Sequence, residues 1–200
     1  MNERAIKLLN YLGLSHDTEV KESEYDDNTF IVEGKEYQIL TDEEADEAHE
    51  EYISNFIDDC GISAFTPYAQ RYIIENYMDK SWFNEAMIES YESYVEDIKL
   101  ESSSDKDFEN RLEEEISDTG CEDEESYVEY LCSQYSDGVE WYIDNFGEAD
   151  FFKICKETCH LDISGISEFC IREDGRGHSL ATYDGNELEL DDNYYAYKLN

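Results

Sequence analysis

Positive charge is what this chain of 200 residues has least of: Lys and Arg number 14 against 53 Asp and Glu, a formal net charge of −39. So few cations cannot line a groove. Direct binding to a nucleic-acid backbone and attraction to an anionic membrane face are therefore excluded. Long apolar runs are missing as well. Near the start, Leu8, Leu9, Tyr11, Leu12 and Leu14 are interrupted by polar residues, which makes neither a secretory h-region nor a membrane span, and a cytoplasmic location is expected. Proline occurs once, at Pro67, so little interrupts helical periodicity through the middle of the chain.

Chemical signatures are equally scarce. The six cysteines include no C-x-x-C knuckle, and without an export signal they read as mostly reduced, buried thiols rather than a disulfide framework. Cys155, Cys159, His160 and Cys170 are the nearest approach to a ligand set. Cys155 and Cys159 instead extend the apolar stripe of Phe151 and Phe152, so no metal is expected. No H-E-x-x-H, EF-hand or phosphate-loop spacing occurs, and neither a cofactor nor an enzymatic activity is expected. The loop Asp174-Gly175-Arg176-Gly177-His178 holds an acid, a base and a histidine, but its glycines are equally those of a tight connection.

What the chain does have is enough apolar and aromatic side chain to fold, with Tyr 17 and Phe 9. A short helix from Asn2 to Gly13 precedes an acidic loop around 22–28. Phe30-Ile31-Val32 and Tyr37-Gln38-Ile39-Leu40 then flank the turn Glu33-Gly34-Lys35-Glu36 as a hairpin. Thr41-Asp42-Glu43-Glu44 is a capping box that starts a helix with Ala45, Ala48, Tyr52, Ile53 and Phe56 on its inner side and Gly61 at its end. Thr66-Pro67 opens another, and Ser81 caps a longer one carrying Phe83, Met87, Tyr94, Val95 and Ile98.

After a polar break at 101–106, Phe108, Leu112 and Ile116 mark a helix stopped by Gly120. Further helices follow around Tyr127 to Tyr135, over Val139–Phe146 and over Phe151–Cys159. Ser179–Tyr183, Glu187–Leu190 and Tyr194–Leu199, joined by Asp184-Gly185 and Asp191-Asp192-Asn193, read as a three-stranded meander. The fold class is α+β: a mostly helical body and a small antiparallel sheet made by the N-terminal hairpin and the C-terminal meander, in a single domain over 1–200 with a flexible break at 101–106.

Two segments, Gly34 through Ala48 and Asp174 through His178 with Tyr183-Asp184-Gly185 and Tyr194-Tyr195-Ala196-Tyr197, resemble acidic, uncharacterised proteins of bacteriophages and prophages. The resemblance covers about a quarter of the chain and implies a phage or mobile-element origin and a bacterial host, with no catalytic residues to carry over. By composition alone the chain is also similar to DNA-mimic inhibitors of restriction and CRISPR systems.

The acidic residues themselves form the sharpest pattern. Glu43, Asp46, Glu47 and Glu50 fall at i, i+3, i+4 and i+7 of the capped helix, on one face. Two carboxylates per turn of about 5.4 Å give about one charge per 2.7 Å of axis, approaching the roughly 1.7 Å per charge of duplex DNA. A second block runs through Asp107, Glu109, Glu113, Glu114, Glu115, Asp118, Glu122, Asp123, Glu124 and Glu125, with only Arg111 nearby to neutralise it. Tyr91, Tyr94, Tyr127, Tyr130, Tyr135 and Tyr142 are interleaved with acids, and Tyr127 and Tyr130 beside the second block are candidate aromatic anchors.

Exposed carboxylates keep any helix soluble, but folding alone would favour balancing lysines, because like charges at i, i+4 cost a few tenths of a kcal/mol each. The expectation is therefore an acidic DNA mimic that occupies the basic nucleic-acid groove of a host defence enzyme. The alternatives are an acidic phage adaptor that binds a basic protein without blocking nucleic acid, and a small hydrolase using Asp174 to His178. A homodimer is compatible with either binding role.

Overall fold

A computed structural model describes residues 2–24, 26–117, 119–158, 161–191 and 193–200, with the backbone alone at 156–158. Along the chain run α1 (Glu3–Leu12), β1 (Val20–Glu22), β2 (Thr29–Val32), β3 (Lys35–Thr41), α2 (Asp42–Cys60), a 3-10 turn (Ile62–Ala64), α3 (Pro67–Asn76), α4 (Ser81–Glu101) and α5 (Asp105–Ile116). They are followed by α6 (Glu124–Cys132), α7 (Gly138–Phe146), α8 (Glu148–Thr158), α9 (Ile163–Asp174), α10 (Gly177–Leu180), β4 (Glu187–Asp191) and β5 (Tyr194–Lys198). The fold is α+β. The chain divides into two compact units, one made of Met1–Cys60 with Asp162–Asn200 and the other of Gly61–Leu161. The polar break at 101–106 lies inside the second unit, where Ser102 to Ser104 link α4 to α5 and Ser104 caps α5.

The first unit is built on a five-stranded antiparallel sheet of order β1-β2-β3-β5-β4, so the two ends of the chain share one sheet through the β3–β5 pairing. Alternation along the strands separates two cores. Ile39 and Ala196 lie on the face covered by Ala5, Leu8 and Leu9 of α1, while Leu40 and Tyr197 lie on the face covered by Ala45 of α2 and Ala181. Asn2 caps α1 by accepting from the Arg4 amide at 3.0 Å, and left-handed Gly13 closes it. The capping box is present as expected: the Glu44 amide donates to Thr41 Oγ1 at 3.2 Å and the Thr41 amide to Glu44 Oε2 at 2.8 Å.

Several elements differ from the sequence expectation, each for a packing reason. Val32 pairs with Lys35, so the hairpin loop is only Glu33-Gly34, both at positive φ of 51° and 79°, a two-residue turn whose twist suits the flanking strands. The inner stripe of α2 is Ala45, His49, Ile53 and Ile57. Tyr52 is exposed and Phe56 half-buried, because the true stripe runs one position further round through a histidine that a hydrophobic pattern passes over. Ser81 is the first residue of α4 rather than its cap, its amide donating to Asp79 Oδ1 at 2.8 Å, and Tyr94 of that helix is exposed. The expected meander has two strands, not three. In place of a strand at Ser179–Tyr183 the chain coils into α10, since Arg176 is drawn inward and Gly177 packs on the backbone at Gly185 to Glu187. Helix α9 and strand β1 carry no strong sequence signal; Asp192 lies outside the described residues.

The second unit is helical. α4 packs against α5, α6 and α7, and α7 against α8. Val95 and Ile98 of α4 close one cluster with Phe108, Leu112 and Tyr127. At the other end of α4, Phe83 meets Tyr142 and Phe151, each ring centroid 5.3 Å away. Here α7 approaches so closely that a Cβ on Gly138 would stand 2.3 Å from the Phe83 carbonyl carbon and oxygen. Backbone cannot yield as a flexible side chain would. Gly138→Ala is expected to lower stability by about 3 kcal/mol, read as a fall in the urea midpoint at unchanged m-value. An unchanged midpoint would show that α7 is free to move away from α4.

Candidate functional site

The acidic face of α2 is where periodicity places it. Glu43, Asp46, Glu47 and Glu50 are all solvent-exposed, opposite buried Ala45, His49 and Ile53. They are not equivalent, however. Asp46 accepts from Arg176 Nη1 at 2.9 Å and is partly spent inside the unit, whereas the flanking Glu44, at the start of the helix, is gripped by Arg4 through Nη1 at 2.6 Å and Nη2 at 2.7 Å. That fork, with the Thr41 amide, pulls the Glu44 carboxyl down to about 2. Glu43, Glu47 and Glu50 remain as the outward row.

In the second unit Glu113, Glu114 and Glu115 are exposed along α5, and Asp123, Glu124 and Glu125 are exposed at the start of α6. Asp118 lies outside the described residues. Asp123 has a structural task, capping α6 through Oδ1, which accepts from the Ser126 amide at 2.8 Å. The Ser126 hydroxyl and amide hold the Asp123 carboxyl below its ordinary pKa. Arg111 is turned toward Glu101, to which its Nη2 donates at 3.1 Å. Of the two tyrosines, only Tyr130 presents a surface, at 37% exposure. Tyr127 is 5% exposed and belongs to the α4–α5–α6 core, with its hydroxyl directed to Glu115 Oε2 at 3.4 Å. The aromatic-anchor reading therefore fails for Tyr127, because its ring already fills the space that α5 leaves against α4. The two rings are stacked, with centroids 6.5 Å apart.

The most constructed polar site was not foreseen in its details. Arg176, 8% exposed, donates through Nε and Nη2 to both oxygens of Glu187, at 2.9 and 3.2 Å, and through Nη1 to Asp42 Oδ1 and Asp46 Oδ1, each at 2.9 Å. Its guanidinium lies 4.6 Å from the centre of the Tyr195 ring. Burial opposes the charge, but the bonds to Glu187 and Asp42 outweigh it and raise the pKa further. Glu187 also accepts from the Tyr197 hydroxyl at 2.5 Å, and burial with that neighbouring charge keeps the phenol protonated. Beside this cluster His49 Nδ1 is 2.6 Å from Ser167 Oγ, both groups buried. Burial, assisted by Arg176, lowers the His49 pKa against a smaller opposing effect of Asp46, so the ring is neutral at pH 7. The glycine loop thus serves to deliver Arg176. His178 is exposed at the start of α10.

Burial of the described cysteines is less general than expected: Cys155 is buried with Sγ 3.8 Å from Met78 Sδ, while Cys60 is exposed. Burial pushes the Cys170 thiol up to about 11. Among the described residues no group of three His, Cys, Asp or Glu could hold a metal ion; Cys159 and His160 lie outside them. No described helix is long and apolar enough to cross a membrane. Comparison with protein-family models, curated proteins and solved structures finds no match, so the chemistry of the surface is the guide to function.

Two outcomes test the buried cluster. Arg176→Met leaves Asp42, Asp46 and Glu187 converging without a cation, and is expected to cost about 3 kcal/mol, the lower end of the range for a broken buried pair because Asp42 and Asp46 remain wetted. Chemical denaturation measures it, and a loss below about 1 kcal/mol would make the cluster a surface feature. For His49 the folded pKa lies below the unfolded one, so the unfolded chain takes up the proton first as pH falls. The stability contributed by the neutral ring is lost below about pH 6.5. The margin of the native chain over His49→Asn is expected to shrink between about pH 7.5 and about pH 5.5. A constant margin contradicts it.

Proposed function

We propose that this is a phage-encoded, non-catalytic anionic decoy that occupies the basic nucleic-acid groove of a host defence enzyme, a CRISPR effector or a restriction complex. The observation that carries this reading is the segregation of charge. Arg4 and Lys7 are drawn onto Glu44 and Asp191, and Arg176 onto Asp42, Asp46 and Glu187, while the row Glu43, Glu47 and Glu50 and the block Glu113 to Glu115 stand in solvent. The framework of the first unit takes up these three cations, while Lys21, Lys35, Arg71, Lys99 and Lys106 stay exposed among a large excess of carboxylates. The outward carboxylates stand on helices, with Glu43, Glu47 and Glu50 spanning about 10 Å of the α2 axis, a sparser row than the roughly 1.7 Å per charge of duplex DNA.

Such a surface attracts a basic groove at long range and then pairs with the arginines that clamp phosphates. Rigidity matters here, since carboxylates held on a helix lose less freedom on binding than those of a disordered acidic tail. The hydrolase reading draws no support from Arg176, which is buried and bonded to three carboxylates rather than directed at solvent.

Purified CRISPR effectors and restriction complexes assayed for DNA cleavage provide the test. The protein is expected to inhibit, the inhibition to weaken steeply as salt rises, and DNA and protein to exclude one another on the enzyme. The triple substitution Glu43→Gln, Glu47→Gln and Glu50→Gln should weaken inhibition about tenfold to a hundredfold, at about 0.5 to 1 kcal/mol per lost pair. If an enzyme binds DNA and the protein together, the decoy reading is wrong and the adaptor reading replaces it.

A further inference from the structure

The second unit contains a cleft of about 890 Å³ walled by α4, α6 and the segment leading into α7. Met87, Ile88, Val95 and Val128 line it, and Ile88 is 41% exposed. Burial and the charge of Glu92 raise the pKa of the Cys132 thiol, so this wall too is uncharged at neutral pH. The rim is anionic. Glu92 and Glu96 from α4 and Glu124, Glu125 and Glu129 from α6 are all exposed. Lys99 lies at one end, its ammonium 5.5 Å from the centre of the Phe108 ring, and Asp137 at the other is paired with Lys80 at 2.9 Å.

Apolar floor and carboxylate rim together select the occupant. A duplex is repelled by the rim. A small polyamine would satisfy the carboxylates but leave Ile88 and Val128 wet. Helical walls offer no free backbone edge for an added strand, whereas a helix fits a groove read at i, i+3, i+4 and i+7. From Asn84 to Lys99 the α4 wall runs about 22 Å, the length of a helix of about 15 residues. We propose that the cleft receives a basic amphipathic helix of the partner protein, its apolar stripe on Ile88, Val95 and Val128 and its Lys or Arg side chains against the five glutamates. This deepens the decoy reading, on which it rests for the partner's being basic, and adds a contact that a polynucleotide cannot make.

Two synthetic peptides of about 15 residues and identical Lys and Leu content, one ordered as an amphipathic helix and one scrambled, are titrated into the full chain at about 0.15 M and about 0.5 M salt. The amphipathic peptide is expected to bind at least about tenfold more tightly, with the difference persisting at the higher salt, where the charges are screened. Ile88→Ser, at a position exposed enough to leave the fold intact, should remove most of that difference. Glu92→Gln with Glu129→Gln should weaken both peptides while keeping their ratio. Amide shifts should concentrate at Met87, Ile88 and Val128. Equal affinity for the two peptides, an Ile88→Ser variant that discriminates as well as the parent, or spermidine displacing both peptides equally would overturn the proposal. Peptide discrimination together with simultaneous binding of DNA and protein to a defence enzyme would sink the decoy reading and leave the cleft standing. Loss of discrimination with DNA competition intact would do the reverse.

Discussion

A single buried guanidinium fixes the first unit. Arg176, near the C-terminal end, reaches Asp42 and Asp46 at the start of α2 and Glu187 at the start of β4, and it covers the ring of Tyr195. In a chain this negative, three carboxylates converge without mutual repulsion only where a cation lies between them. That one contact ties together the start of α2, the coil at Gly177 and the start of β4. Arg4 does the same work on a smaller scale, joining α1 to the capping box of α2 through Glu44.

Using scarce cations as internal ties has a consequence for the surface. Each one drawn inward leaves the exterior more uniformly anionic, and the like charges that remain oppose compaction. Apolar burial supplies the compensation. Leu8, Leu9, Phe30 and Ile39 in the first unit, and Phe83, Phe151 and Ile73 in the second, are almost wholly removed from water. The acidic helices are therefore stiff supports for charge, which is what an interaction surface steered by electrostatics and completed by close contact requires.

Much of this was legible along the chain. The capping box at Thr41, the Thr66-Pro67 start, the glycine stops at Gly13 and Gly61, and the acidic row on α2 are all local signals, and local geometry obeys them. Helix α5, by contrast, ends at Ile116 with Ser117 as its cap, ahead of the expected stop at Gly120. Errors came where a distant contact overrides a local preference. His49 belongs to the inner stripe because Ser167 waits across the packing interface to bond it. Tyr127 is core because α5 folds back over it. Ser179 and Leu180 coil into α10 instead of pairing because Arg176 is already tied, while the Tyr183 amide still donates to the Lys198 carbonyl at 3.1 Å. The rim glutamates Glu92, Glu96 and Glu129 carry no local signal, since only the meeting of α4 and α6 turns them into one cleft.

The sequence alone determined the sign and excess of the charge, the helical character of the middle and the β character of both ends, because composition and short-range periodicity need no knowledge of what lies opposite. Tertiary structure decided that both ends enter one sheet through β3 and β5, that Arg176 is buried while the acids of α2 are not, and that an apolar floor lies beneath a ring of carboxylates. Those are properties of residues far apart in the chain. Side-chain type fixes what a residue can bond, but only the closed fold fixes which partner stands within reach.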